Sequence, residues 1–528
     1  MIIPSFPFQQ RSEREGHQRS FFHEYSRLFR SVKSSWGDSG PSLQLSTSPF
    51  TGLDYLGKNS AMGALYNSLE RQQLDSPKCH PNTRIAVINR LIQWIKGEIE
   101  DDALIMWLYG AAGAGKSAIA HTLAEVCDNC TWLLASFFFW TSSGERNNVN
   151  HFIATIAYQV TQAIPASREL IEAVVDYNPY IFEQSIDVQL SKLIIEPIHE
   201  LHSRGIIFDI SPLVIIIDGL DECRGNDVQS GIVKSLVVAF RDFPLRIRIF
   251  ITSRPEVYLQ STFNSPSVQH LLARLALSDE YAPEEDIHEF LKDSFEKIRR
   301  EHPLASYIPD SWPTTEVLHD LTQKSSGQFI FASTTVKYTG GDPHELPTRR
   351  LDVIRHLQPP RGKEDLPYAE LDSLYNHVLS KVHNIEGVKQ VLGVLLIVNQ
   401  RLDEDVNRWL EEDFYLNFTD SMDNFLFWQP GETTACLSQL ASVIECRDDR
   451  EIHIMHASLS DFMFDPSRSH RFYLCRESIL GDGLALSMRH WTRNLTRDEG
   501  LGVCFPILSI SNIQWKGHLC QNSIITWR

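Results

Sequence analysis

The octapeptide Gly110–Ser117, GAAGAGKS, has the GxxxxGK[ST] spacing of a phosphate-binding loop. Its glycines let the backbone curl until successive N–H groups point inward at a phosphate chain. That cradle should run through Gly110, Ala111, Ala112, Gly113, Ala114 and Gly115 into Lys116, Ser117 and Ala118. The Lys116 ammonium would reach the β- and γ-phosphates, and the Ser117 hydroxyl would be a ligand for Mg²⁺. A helix opening near Lys116 would aim its positive end at the same anion.

Two further stretches carry groups that act on a phosphate chain. PLVIIIDGLDEC, Pro212–Cys223, is a β-branched apolar run ending in Asp218, with Asp221 and Glu222 just beyond. A buried strand of this kind delivers a carboxylate to its C-terminal tip, where ligands of open α/β sheets collect. Asp218 would hold Mg²⁺, and Asp221 or Glu222 would position an attacking water. RIRIFITSRPE, Arg246–Glu256, ends in Thr252, Ser253 and Arg254. A guanidinium there suits sensing of a γ-phosphate, because it stabilises charge on the transferring group. The plainer reading of Arg254 is a strand-end cap or the partner of an acid.

These residues need a scaffold, and the pattern around them supplies one. Leu104–Tyr109 reads as a buried strand before the loop, and SAIAHTLAEV as the helix after it. Thr131–Trp140 is too apolar and β-prone to be other than a buried strand. A helical region spans Val149 to about Leu201, and VQHLLARLAL, Val268–Leu277, reads as a fifth strand. Strands alternating with helices predict an α/β fold with a parallel, doubly wound sheet. Upstream, Ala61–Leu74 reads as helical. Ile85, Ile88, Leu91, Ile92 and Ile95 mark another helix, capped by Asn82 or Thr83. Downstream, helices are expected at Asp286–Arg300, Thr315–Tyr338 with a break at Gly327, Glu370–Val382, Val388–Val398, Asp403–Leu410 and Cys436–Glu445. A short strand follows at Ile452–Ile454.

Composition bounds the rest. The 528 residues call for two or three domains, and a 42% apolar content is enough for real cores. The net charge of −18 argues against non-specific nucleic-acid binding and against anionic membrane surfaces. Nine scattered cysteines suit a reducing, cytoplasmic setting. The pair Cys127 and Cys130 lacks a second pair at zinc spacing. No run of apolar residues is long enough to span a bilayer, and the N-terminus lacks a signal-peptide core. Residues 1–50, rich in Ser, Arg and Gln, read as a disordered tail with one candidate amphipathic helix at His23–Trp36.

Taken together, GAAGAGKSAIA, IIIDGLDEC and FITSRPE resemble the NACHT group of signal-transduction P-loop ATPases. The likeness is strongest to the nephrocystin-like NACHT proteins of mushroom-forming fungi. CHPNTR, DIHEFLKDSFEKI, SSGQFIFASTTVKY and LDSLYNHVLSKV fit the same pattern, and the resemblance covers about residues 51–475. It implies a helical lead-in over 51–100, a NACHT P-loop domain over 101–280, a helical domain over 281–365 and a winged-helix-like domain over 366–475. Residues 476–528 form an atypical tail, and no internal repeat of 20–50 residues stands where the family commonly carries sensor repeats. IHIMHASLSDF further resembles the methionine–histidine motif of related plant and animal switches, whose histidine reads the β-phosphate of ADP. His456 matches that position, with Ala457 where those families often carry Asp; a core histidine is the alternative.

The resemblance implies a switch that binds and slowly hydrolyses ATP with Mg²⁺ and couples ATP or ADP to conformation, in signalling of an innate-immunity or incompatibility kind. Its partners would be nucleotide and other proteins, or further copies of itself through the NACHT domain. An adaptor that holds ADP with negligible turnover is the alternative. A metabolic P-loop kinase would need an acceptor pocket that the helical second half does not suggest.

Overall fold

In the computed structural model, the residues described are 51–70, 78–141, 143–207, 212–241, 243, 245–277, 283–359, 368–401, 418–446, 452–454, 456–479 and 481. The centre is a parallel sheet of five strands: β1 (Ile105–Tyr109), β2 (Leu133–Phe138), β3 (Leu213–Asp218), β4 (Ile247–Ser253) and β5 (Leu272–Ala276), in the order β2-β3-β4-β1-β5. β4 therefore lies between β1 and β3. Tyr109 pairs with Ser253, Ile217 with Ile251 and Phe138 with Asp218. That register brings the C-terminal tips of four strands to one edge, the edge where ligands of open α/β sheets bind.

The strands are mainly apolar because both faces of the sheet are covered. Successive side chains point to opposite faces. Trp107, Ile215, Ile217, Ile249 and Ile251 enter one apolar cluster, packed by the helices Phe152–Ala163 and Asn226–Phe240. Met106, Leu108, Val214, Ile216 and Phe250 enter another, beneath α1 (Ile85–Lys96) and α2 (Lys116–Asn129). A third cluster gathers later helices: α3 (Pro283–Glu301), α4 (Thr315–Ser325), α5 (Phe329–Gly340), α6 (Ala369–Ser380) and α7 (Ile385–Arg401). An antiparallel pair, β6 (Ile444–Cys446) and β7 (Ile452–Ile454), leads into α8 (Ala457–Met463). No helix among the described residues is long and apolar enough to cross a membrane.

Several local expectations are corrected. Cys436–Glu445 is not one helix: a helix over Glu432–Leu437 tightens into a 3₁₀ turn, and Ile444–Cys446 pairs with β7. Val268 lies on the short helix Pro266–Gln269, and the fifth strand starts only at Leu272, because Pro266 favours a helical first turn. In the lead-in, Gly52–Lys58 is helical, but Ala61 begins only a 3₁₀ turn over Met62–Ala64. Neither Asn82 nor Thr83 caps α1. The cap is Arg84, at φ 58°, and the Thr83 hydroxyl donates instead to the His80 carbonyl at 2.7 Å. The expectations for residues 1–50, for Asp403–Leu410 and for the tail beyond 481 lie outside the described residues.

Candidate functional site

The loop between β1 and α2 curls as its glycines require. Gly113 and Gly115 take φ of +78° and +92°, values a side chain rarely tolerates. Lys116 opens α2. Its ammonium donates to the Gly110 carbonyl at 2.9 Å and to that of Ala111 at 2.9 Å. Burial draws its pKa below the usual lysine value, against the opposing pull of Asp221. Ala112, Gly113, Gly115, Lys116, Ser117 and Ala118 line a cavity of about 950 Å³. Gly110, Ala111 and Ala114 serve it from behind. The first two carbonyls hold Lys116, and the Ala114 carbonyl accepts from the Arg84 guanidinium at 3.0 Å.

Asp218 is buried at the tip of β3, and its Oδ1 accepts from the Thr252 hydroxyl at 2.5 Å. The Gly219 N–H donates to the same hydroxyl at 3.0 Å, so β4 fixes the turn after β3. Leu220–Glu222 then make one 3₁₀ turn that separates the two acids. Asp221 faces Arg254: its Oδ1 accepts the Arg254 N–H at 3.0 Å, and its Oδ2 lies 3.2 Å from Nε. Glu222 turns the other way and accepts from the Thr141 N–H at 2.9 Å and the Thr141 hydroxyl at 3.3 Å. Burial, reinforced by the Asp221 charge, pushes the Glu222 pKa up to about 7, the range in which a carboxylate can take a proton at neutral pH.

The opposite wall comes from the end of the described chain. His456 caps α8: its Nδ1 accepts from the Ser458 N–H at 3.0 Å and lies 2.8 Å from the Ser458 hydroxyl. That hydroxyl is 2.8 Å from Tyr375 Oη on α6. With Nδ1 accepting, the neutral ring carries its proton on Nε2. Burial, then the nearby Arg254 and Lys116 charges, pull the His456 pKa down to about 3. One turn along α8, Asp461 Oδ2 accepts from Arg254 Nη1 at 2.7 Å. All the expected side chains, Lys116, Ser117, Asp218, Asp221, Glu222, Arg254 and His456, thus line one cavity.

A set of contacts escaped the sequence reading. Arg84 is buried, its N–H donates to Asp286 Oδ2 on α3 at 3.0 Å, and its guanidinium carbon is 4.9 Å from the Phe329 ring centre. The Ile330 N–H at the start of α5 donates to the Gly113 carbonyl at 3.3 Å. Arg146, also buried, donates through Nε to the Phe138 carbonyl at 3.1 Å and through Nη1 to Glu70 at 2.9 Å. A buried arginine is rare enough to signal a role, but its partners lie far along the chain and leave no local pattern.

The fold is that of a P-loop NTPase. The family described as nephrocystin 3, N-terminal, matches residues 88–254, which span the loop, the Asp218 strand and Arg254. No curated protein sequence matches the chain. Among solved structures the chain is similar to Cdc6p from Pyrobaculum aerophilum, at 12% identity over 73% of this chain and 93% of that one, with a TM-score of 0.32. It is also similar to the ORC2 protein of Aeropyrum pernix in ADPNP–ADP complexes, at 12% identity over 80% and 98% with a TM-score of 0.32. The ORC1 protein of the same organism in complex with DNA gives 13% identity over 74% and 94%, with a TM-score of 0.34. At such scores the likeness does not extend to what those proteins bind.

Mg²⁺ fits the donors present. Among the described residues no group of three or more His, Cys, Asp or Glu could hold a metal. Mg²⁺ needs no such cage: it is commonly held by one or two protein oxygens, waters and substrate phosphates. The Ser117 hydroxyl and the Asp218 carboxylate are such a pair, and Mg²⁺ bound there would neutralise charge on the phosphates.

Proposed function

We propose that this protein is a NACHT-type switch that binds ATP or ADP with Mg²⁺, hydrolyses ATP slowly and couples the nucleotide to the position of its C-terminal helices. The observation that carries this reading is α8: His456, which caps it, lines the same cavity as Lys116 and Arg254, and Asp461 on it accepts a hydrogen bond from Arg254. A P-loop alone holds both nucleotides through the same groups. A second wall from another part of the chain can make contacts that differ between them, and only differing contacts shift a conformational equilibrium.

The geometry supports the following roles. Lys116 and the loop N–H groups bind phosphates, and Ser117 with Asp218 serves Mg²⁺. Glu222 takes the role of orienting and deprotonating water, since Asp221 is engaged with Arg254 and the Glu222 pKa sits near neutrality. Arg254 reaches the γ-phosphate, and the Nε2–H of His456 donates to the β-phosphate of ADP. The described part of residues 366–475 acts as a winged-helix-like lid, with β6 and β7 as its wing, and signalling runs through protein partners or self-association.

The test is the nucleotide carried by the purified protein, followed by single-turnover hydrolysis of labelled ATP. An adenine nucleotide near one per chain, absent from Lys116→Ala, is expected, with turnover slower than about one per minute. Guanine nucleotide, or equal binding by Lys116→Ala, would overturn the assignment. Bound ADP with no measurable turnover of ATP would favour the adaptor.

A further inference from the structure

Arg254 is held from two directions by two acids from different parts of the chain. Asp221 belongs to the turn after β3, next to β4, and bonds both the Arg254 N–H and Nε. Asp221 and Arg254 thus follow two strands, β3 and β4, that pair with each other in the sheet. Asp461 comes from α8, 207 residues further on, and takes Nη1 at 2.7 Å. A guanidinium presents its donors in a rigid planar fork. With the Nε edge committed to Asp221, the outer edge is the one a γ-phosphate oxygen would use, and Asp461 stands on it.

Two anions cannot share that edge. The Asp461 side chain keeps 36% of its exposure and that of Arg254 24%, so the pair is partly solvated and weak enough to exchange. A γ-phosphate with Mg²⁺ brings more charge and more acceptor oxygens than one carboxylate. We propose that Asp461 is the residue by which the site tells nucleoside diphosphate from triphosphate: a diphosphate leaves the Arg254–Asp461 pair closed, and a triphosphate displaces Asp461 and α8 with it. This rests on the reading that the cavity holds nucleotide and that Arg254 faces the γ-phosphate. Asp461 touches no substrate in this scheme. It acts through Arg254, as a positioning residue.

The experiment titrates the full chain with Mg·ADP and with the non-hydrolysable β,γ-imido analogue of Mg·ATP, in the unaltered protein, Asp461→Asn and Lys116→Ala. Removing the competing charge should raise the affinity for the triphosphate analogue about tenfold or more, and leave that for ADP within about threefold. A purely structural role for Asp461 would weaken both together. An unmoved ratio of the two affinities in folded Asp461→Asn overturns the proposal, while loss of both nucleotides in Lys116→Ala leaves the nucleotide site standing. If the unaltered protein binds neither nucleotide, both readings fall. Asp461→Ser removes the same charge and replaces Asp461→Asn if that variant does not fold.

Discussion

The Arg84 guanidinium lies 4.9 Å from the centre of the Phe329 ring, so a residue ahead of the sheet and one behind it close together on the P-loop. The same guanidinium holds the Ala114 carbonyl, and the Arg84 N–H holds Asp286. Arg84 therefore joins α1, the loop and α3. Burial works to lower its pKa, and the Asp286 charge opposes that.

Removing one member of a buried ion pair leaves the other uncompensated and costs roughly 3–5 kcal/mol. Asp286 is only partly buried, so Arg84→Ala should cost about 3 kcal/mol. Nucleotide affinity should fall with it, because the loop loses its backing. Arg84→Lys should restore little, since an ammonium lacks the planar fork. Urea denaturation checks the first claim, and a midpoint equal to that of the unaltered protein contradicts it.

Gly113 meets two constraints at once. Its φ is +78°, and a methyl group there would lie 2.2 Å from Ile330 Cγ2. Gly113→Ala should weaken nucleotide binding and lift α5 off the loop. Adding Ile330→Gly removes both the Cγ2 contact and the 2.8 Å contact with Ile330 Cβ, but not the left-handed backbone cost of roughly 1–2 kcal/mol. The double variant should thus recover only part of the loss. Full recovery, measured by calorimetry, would mean the backbone conformation matters less than the packing.

Glu222→Gln should keep nucleotide binding and slow hydrolysis, because the amide has the same shape without the basicity. With the Glu222 pKa at about 7, the single-turnover rate should rise with pH toward neutrality and level off above it, and the variant should lose that rise. Asp218→Asn should instead raise the Mg²⁺ concentration needed. Should Asp221→Asn abolish turnover while Glu222→Gln leaves it intact, the water-positioning role passes to Asp221.

His456 titrates in the opposite sense. Its folded pKa is depressed, to about 3 from 6.5, by burial and by Arg254 and Lys116. Its contribution to stability is therefore present above pH 6.5 and is lost as pH falls toward 3, by about 1.4 kcal/mol per unit within that window. His456→Asn can still cap α8 but cannot take up a proton. Its melting temperature should fall less steeply between pH 6.5 and 4.5 than that of the unaltered protein. Parallel curves would remove the titration from His456.

The residues proposed to handle phosphate are legible because each lies within a short contiguous pattern. A glycine turn before a helix, or a β-branched run ending in Asp218, is fixed by local sterics and burial. Three strands were read within two or three residues of their bounds for the same reason. Arg84, Glu70, Ile330 and Asp461 were not legible as site residues, because each acts through a partner that only the folded chain brings near. Asp286 is 202 residues from Arg84, and Asp461 is 207 from Arg254. The helix expected over Cys436–Glu445 failed in a related way: its last residues are claimed by β7, and cross-strand pairing overrode local preference.

The strand order carries a consequence for the way the chain comes together. β1 has no neighbour close to it in sequence: Ile105 pairs with Ile249 on one side and Leu272 on the other. A growing chain that has reached the end of α2 has spelled out the whole loop, but both strands that flank β1 are still unmade. Loop closure over such distances is slow and must precede the contacts that reward it. During synthesis, the glycine-rich loop thus gains a rigid floor only after β5 has emerged, although it is spelled out before either strand that flanks β1.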